Sequence, residues 1–190
     1  MFNPDIVFEK YDEIKKEEHA IELKHRFDKS RNISVELQIL LNKLHAERTF
    51  FIEYHNSVKS LEGAPFAYGS MDFEETGEGI DFIGDEYTNF SLTKYKFVNF
   101  LCENLLFVGD LKEIEKIDKR LYLKLLSNDI KQVAFIEVEG VENPLGILGV
   151  TWSKHDVMGT HKEAIIRELR SEALKLAYIM NKKSVKNDTK

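Results

Sequence analysis

Two apolar runs in the last third of the chain restrict its fold more than any other feature. Gln132 to Val138 (QVAFIEV) and Leu145 to Trp152 (LGILGVTW) are rich in β-branched and aromatic residues, and Glu139 to Pro144 (EGVENP) separates them. Strand, turn and strand in that order predict a long antiparallel hairpin. Gly146 and Gly149 fall inside the second run. A glycine weakens a strand interior, so the pair predicts a bulge or a close approach by another element.

A hairpin alone is marginal in water, and the rest of the chain supplies what it needs. Thr49 to His55 (TFFIEYH) reads as a strand, and Phe66 to Glu75 (FAYGSMDFEE) as its antiparallel partner across a connection containing Gly63 and Pro65. Apolar residues at Ile33, Leu37, Leu40, Leu41 and Leu44 recur at helical spacing after a cap formed by Ser30, Arg31 or Asn32. Leu92 to Leu106 predicts a partly buried helix, and Asp110 caps a further helix through Leu126. Ile80 to Phe90, after Gly77 and Gly79, predicts an irregular segment or a short helical turn. His161 to Met180 carries a last amphipathic stripe through Ile165, Leu169, Ala173 and Leu176.

The first segment, Ile6 to Asp28, is dense in charge and has a thin apolar stripe at Val7, Tyr11, Ile14 and Ile21. As a helix it pairs with another helix or lies solvated on the surface, and Tyr11, Ile14 and Ile21 are its candidate partner-binding residues. The expected division is a charged helical extension over residues 1–30, one domain over 31–181 and a polar basic tail over 182–190.

The chain has 190 residues, 43% of them hydrophobic, enough for one packed domain. Its formal net charge of −6 argues against a general nucleic-acid or anionic-membrane footprint, though not against a local basic patch. No apolar run reaches the roughly 20 residues that span a bilayer, and the N-terminus lacks a signal-peptide layout. With Cys102 as the single cysteine there is no internal disulfide, and a cytoplasmic location is expected.

A leucine-rich helix running into RTFFIEYHN (Arg48–Asn56), then SLEGAPFAYGSM (Ser60–Met71), and finally IKQVAFIEVEGVENPLGILGVTW (Ile130–Trp152), resembles the GAF domains of bacterial and phage proteins. The resemblance covers roughly Asn32 to Met180. It implies an α+β fold, a central antiparallel sheet with the terminal helices on one face. A variable helical and loop segment, roughly Ile80 to Asp129, covers the other face and forms a pocket. It also implies dimerisation through the terminal helices.

GAF-like proteins bind cyclic nucleotides, bilins and other small molecules, and one branch reduces free methionine sulfoxide. That branch needs several cysteines; Cys102 stands alone in the apolar context FVNFLCENLLF, where a thiol is ordinary packing. Bilin attachment commonly uses Cys followed by His, whereas Glu103 follows Cys102. Asn42-Lys43 with Phe82, Asp85 and Glu86 echoes the cyclic-nucleotide signature, but Asn42-Lys43 precedes the first strand and the Phe-to-Asp spacing is short. No metal-ligand spacing joins the six histidines, and no nucleophile elbow, phosphate loop or dinucleotide fingerprint occurs. The acidic stretch Asp72 to Glu86 could hold a hard cation but lacks the EF-hand spacing and reads as a solvated loop.

Alternation along Phe50–His55 puts Phe50, Ile52 and Tyr54 on one face and Phe51, Glu53 and His55 on the other. The second set is assigned to the pocket, with Glu53 and His55 orienting a ligand and Tyr68 and Trp152 as walls; local bonding and ordinary core are the bland alternatives. The expected function is a non-enzymatic GAF-like module with no cofactor or metal. It binds an unidentified small molecule above the sheet, regulates a protein partner, or does both, as a homodimer. The alternative is a phage or bacterial structural or interaction protein that keeps the fold without the pocket.

Overall fold

The computed structural model describes residues 4–55, 68–153 and 158–181, with side chains described from 15 onward except at 18, 158 and 160. The connection at 56–67, the loop at 154–157 with His155, the tail from 182, and the side chains of Tyr11 and Ile14 lie outside that description.

The hairpin forms as the two apolar runs demand. Strand β5 (Gln132–Glu139) pairs antiparallel with β6 (Pro144–Trp152), Gln132 opposite Trp152. Strand β1 (Arg48–His55) lies on the other side of β6, with Phe50 opposite Gly149 and Glu53 opposite Gly146. A Cβ at Gly149 would run into the Phe50 ring, and one at Gly146 into the Ile52 carbonyl. The two glycines therefore mark a close approach, by β1. Strand β2 (Tyr68–Thr76) pairs with β1, β3 (Phe90–Ser91) with β2, and β4 (Leu106–Asp110) with β5. The result is one antiparallel six-stranded sheet in the order β3-β2-β1-β6-β5-β4.

Strand β4 corrects the helix that the pattern predicts through Leu106. Helix α2 (Lys96–Asn104) stops at Leu105, whose φ of 63° is left-handed and whose N–H donates to the Leu101 carbonyl at 2.6 Å. That left-handed residue turns the chain into the edge strand. The helix predicted from Asp110 through Leu126 is also corrected, to two helices. Asp110 caps α3 (Leu111–Ile117) in a capping box with Glu113. Asp118 then breaks the run: its Oδ1 accepts the Arg120 and Leu121 N–H groups at the start of α4 (Lys119–Ser127). Its Oδ2 accepts the Phe97 N–H at 3.1 Å, tying α2 to the same carboxylate.

At the N-terminal end, α1 (Pro4–Lys43) is one uninterrupted helix of 40 residues, so Ser30, Arg31 and Asn32 lie inside it and cap nothing. No Gly or Pro occurs between Asp5 and Lys43, and polar cap formers cost only tenths of a kcal/mol in a helix interior. The last helix, α5 (Met158–Asn181), packs beside α1.

The sheet separates two cores. On one face, Ile33, Leu37 and Leu40 of α1 and Ile165, Leu169 and Leu176 of α5 pack on Phe51, Leu148, Val150 and Trp152. On the other, Phe50, Ile52 and Tyr54 meet Phe97, Leu101, Phe107 and Phe135. Arg48 and Glu74 staple the covering segment to this second face. Arg48 Nε lies 2.6 Å from Glu74 Oε1, an ion contact rather than an aligned hydrogen bond, with both side chains 5% exposed. Arg48 also donates to the Asp81 carbonyl at 2.7 Å, and Glu74 accepts the N–H groups of Ile83 and Gly84.

Between α1 and α5, Lys175 Nζ binds Glu36 at 2.7 Å and Glu172 at 3.0 Å. Glu172 is buried and its Oε1 accepts no hydrogen bond among the described residues. Burial, above all, pushes its carboxyl up to about 7, with neighbouring Glu36 adding to the rise against Lys175. The rise favours the protonated acid, whose O–H is a donor that neighbouring Glu36 can accept. An acid whose folded pKa lies above its unfolded value holds its proton more tightly when folded. Its contribution is therefore present at low pH and lost as pH rises through about 7. Glu36 is lowered and acts oppositely, on the acid side of the ordinary Glu range. The wild type should lose on the order of 1 kcal/mol between pH 6 and pH 8, and Glu172→Gln should flatten that slope. Chemical unfolding at the two pH values reads the difference, and equal slopes in the two proteins would refute the protonated acid.

Candidate functional site

The face of the sheet beneath α2, α3 and α4 is where a GAF-like pocket is expected, and this chain fills it with rings. Phe97 stands at the centre, 5.2 Å from Phe135, 5.3 Å from Phe107 and 5.8 Å from Phe100, centroid to centroid. Phe50 meets Phe135 edge-on at 6.1 Å. What is left is an apolar cavity of about 50 Å³ bounded by Ile52, Tyr87, Phe90, Tyr95, Phe97 and Phe135, among others. Small-molecule sites usually span about 300–1,000 Å³.

Besides the Arg48–Glu74 pair, polar groups on this face gather around Tyr54, toward the opposite end of β1 from Arg48. Glu137 of β5 is buried, and its Oε1 accepts from Cys102 Sγ at 3.1 Å and faces the Tyr54 hydroxyl at 3.5 Å. Cys102 is exposed, yet partial burial of its sulfur, then the Glu137 contact, push the thiol up to about 11, so it is not a thiolate at neutral pH. Burial and the Glu137 charge likewise hold the Tyr54 hydroxyl above its ordinary range.

The four expected ligand residues do not share one site. Glu53 and His55 share a face with Phe51, as alternation required, but that is the face of the terminal helices. The expectation that they point to the pocket is corrected. Phe50, Ile52 and Tyr54 face the covering segment instead. Both faces of a central strand are buried, so alternation shows which residues travel together without saying which layer covers them. Glu53 lines a crevice with Asn143, Leu145 and Met180, and burial raises its carboxyl. His55 Nε2 lies 2.9 Å from Ser70 Oγ, which also accepts the Asn89 N–H. Trp152 is wholly buried beneath α1 and donates through Nε1 to the Leu44 carbonyl, so it is core on the opposite face from the pocket.

Tyr68 alone lines an opening on the covering-segment side. It borders a cleft of about 760 Å³ between the Asn89–Tyr95 stretch and the outer face of α4, where Arg120, Leu123, Lys124 and Ser127 align. Lys94, Arg120 and the aromatic cover were not singled out from the sequence. The i, i+3, i+4, i+7 spacing of the α4 residues was the available signal; Lys94 is remote in sequence and gave none.

The second surface feature is on the terminal helices. Val35 of α1 and Leu174 and Tyr178 of α5 are 49%, 74% and 70% exposed and line a groove between the helices, and Ile39, one turn after Val35, is 37% exposed. Ile21, further along α1, is 60% exposed. Among the described residues, no group of three or more His, Cys, Asp or Glu is placed to hold a metal ion, and no helix is long and apolar enough to cross a membrane.

No family model and no curated protein matches the sequence. Solved structures do match in shape. The blue-light absorbing PixJ GAF domain of Thermosynechococcus elongatus superposes with a TM-score of 0.61 at 10% identity, over 83% of this chain and 90% of that one. A GAF domain region from Geobacter sulfurreducens PCA gives 0.60 at 17% identity, over 83% and 96%. The phycocyanobilin-bound GAF domain of a cyanobacterial phytochrome gives 0.59 at 13% identity, over 85% and 92%. The chain has a GAF-like fold; identities this low speak to fold alone.

Proposed function

We propose that this chain is a non-enzymatic GAF-like module that acts by association through its terminal helices, as a homodimer that presents or regulates a protein partner. The observation that carries the reading is the apolar outer face of the α1–α5 pair, formed by Val35, Ile39, Leu174 and Tyr178. Ile14, Ile21 and Val35, with Tyr11 and Ile39, occupy the two apolar positions of one heptad register along α1. Glu18, His25, Asp28 and Asn32 interrupt that register. A weak seam with polar breaks suits pairing with a second copy in a fixed register. Ile21, exposed on α1, is then the outer continuation of the dimer face.

The filled interior supports the same reading, since a cavity of about 50 Å³ has no room for a bilin or a nucleotide above the sheet. Such a module fits a phage or bacterial interaction protein working in the cytoplasm. Sedimentation velocity of the full chain tests the dimer. The wild type should sediment as a dimer at micromolar concentration, and Leu174→Lys with Tyr178→Lys should weaken it about tenfold or more. A monomeric wild type, or a dimer indifferent to both substitutions, would sink the proposal.

A further inference from the structure

We propose that the cleft between α4 and the Asn89–Tyr95 stretch binds a small organic anion that has a flat apolar part. Among the described residues the cleft is lined by three cations, Lys94, Arg120 and Lys124, and by no acidic side chain. That local sign runs against a chain of formal net charge −6. Lys124 is committed: its Nζ binds Glu86 at 2.7 Å and sits 4.8 Å from the centroid of the Tyr87 ring. Lys94 and Arg120 are exposed and have no ion pair among the described residues. They line the one cleft from different elements, Lys94 just after β3 and Arg120 in the first turn of α4. Two cations in one cleft, unpaired among the described residues, suit a phosphate or carboxylate, and Arg120 can take either in a bidentate grip.

The rest of the wall selects an apolar body. Phe90 and Tyr95 meet edge-on at 5.7 Å, and both rings line the cleft and the interior cavity alike. Leu123, half exposed on α4, lines the same cleft. A flat group lying on Phe90 and Leu123 buries apolar area on both sides while its charged end reaches Lys94 and Arg120. Tyr68 and Ser127 add hydroxyls at the rim. The site lies on the other side of the sheet from the proposed dimer face, so the two readings stand or fall separately.

The probe is 8-anilinonaphthalene-1-sulfonate, an anion with a flat apolar body, titrated by fluorescence against the full chain. It should bind saturably with one site per chain. Lys94→Glu with Arg120→Glu should weaken it tenfold or more. Both positions are exposed, and an acid in the first turn of α4 suits the helix dipole, so the double variant should keep the wild-type circular dichroism. The uncharged N-phenyl-1-naphthylamine should bind at least tenfold more weakly and ignore the double substitution. Competition with 1-naphthyl phosphate and with 1-naphthoate tells which anion the site prefers. Non-saturable binding, equal affinity in the double variant, or failure of both competitors to displace the probe would each overturn the proposal.

Discussion

Glu74→Ala should destabilise the protein by about 3–5 kcal/mol, the usual cost of removing one partner of a buried ion pair. With Glu74 gone, the Arg48 guanidinium stays in a site where it is 5% exposed, with the Asp81 carbonyl as its one hydrogen-bond acceptor among the described residues. The N–H groups of Ile83 and Gly84 lose their acceptor in the same step. A loss of that size is a large share of the roughly 5–15 kcal/mol that holds a domain together. It should also free the 81–87 segment from the sheet, exposing Tyr87. Glu74→Gln keeps an acceptor oxygen and should cost less. Replacing the pair together, Arg48→Met with Glu74→Leu, should recover most of the loss because no buried charge is stranded. Urea unfolding at pH 7 measures all three, and a loss under about 1 kcal/mol for Glu74→Ala would mean that the pair is solvated and not a staple.

Phe97→Ala should cost about 3–5 kcal/mol and turn a filled interior into a binding cavity. Phe97 is 3% exposed, touches the rings of Phe100, Phe107 and Phe135, and forms one wall of the existing small cavity. Removing its ring merges two volumes in an apolar setting, and an apolar cavity of roughly 150 Å³ is enough to take up benzene. Benzene should therefore raise the melting temperature of Phe97→Ala and leave that of the wild type unchanged. Equal stabilisation of both proteins would show that the native interior is already open, and would restore an enclosed ligand site above the sheet.

Much of the scaffold was legible from residue patterns. The hairpin at 132–152, the strand at Thr49–His55 and the terminal helices come from apolar runs and helical stripes that local chemistry enforces. Elements that depend on one backbone turn were not legible. Leu105 adopts a left-handed conformation with no glycine to announce it, so the edge strand after it looked like helix. Asp118 splits a continuous helical pattern because its carboxylate caps one helix and anchors the N–H of Phe97, a partner 21 positions away. The candidate site was less legible still, since Tyr68, Lys94 and Arg120 come together only when α4 folds back against the sheet edge.

From sequence alone, β1 was determined to alternate, with Phe50, Ile52 and Tyr54 on one side and Phe51, Glu53 and His55 on the other. Strand geometry permits nothing else. Only the tertiary structure decided that the terminal helices cover the Glu53 side and the aromatic segment covers the other. Each side carries a phenylalanine that needs cover, Phe50 on one and Phe51 on the other, so the alternation does not say which layer covers which side. The choice rests on contacts between residues far apart in the chain, where Phe97 and Phe135 fill one layer and Leu37 and Leu169 the other.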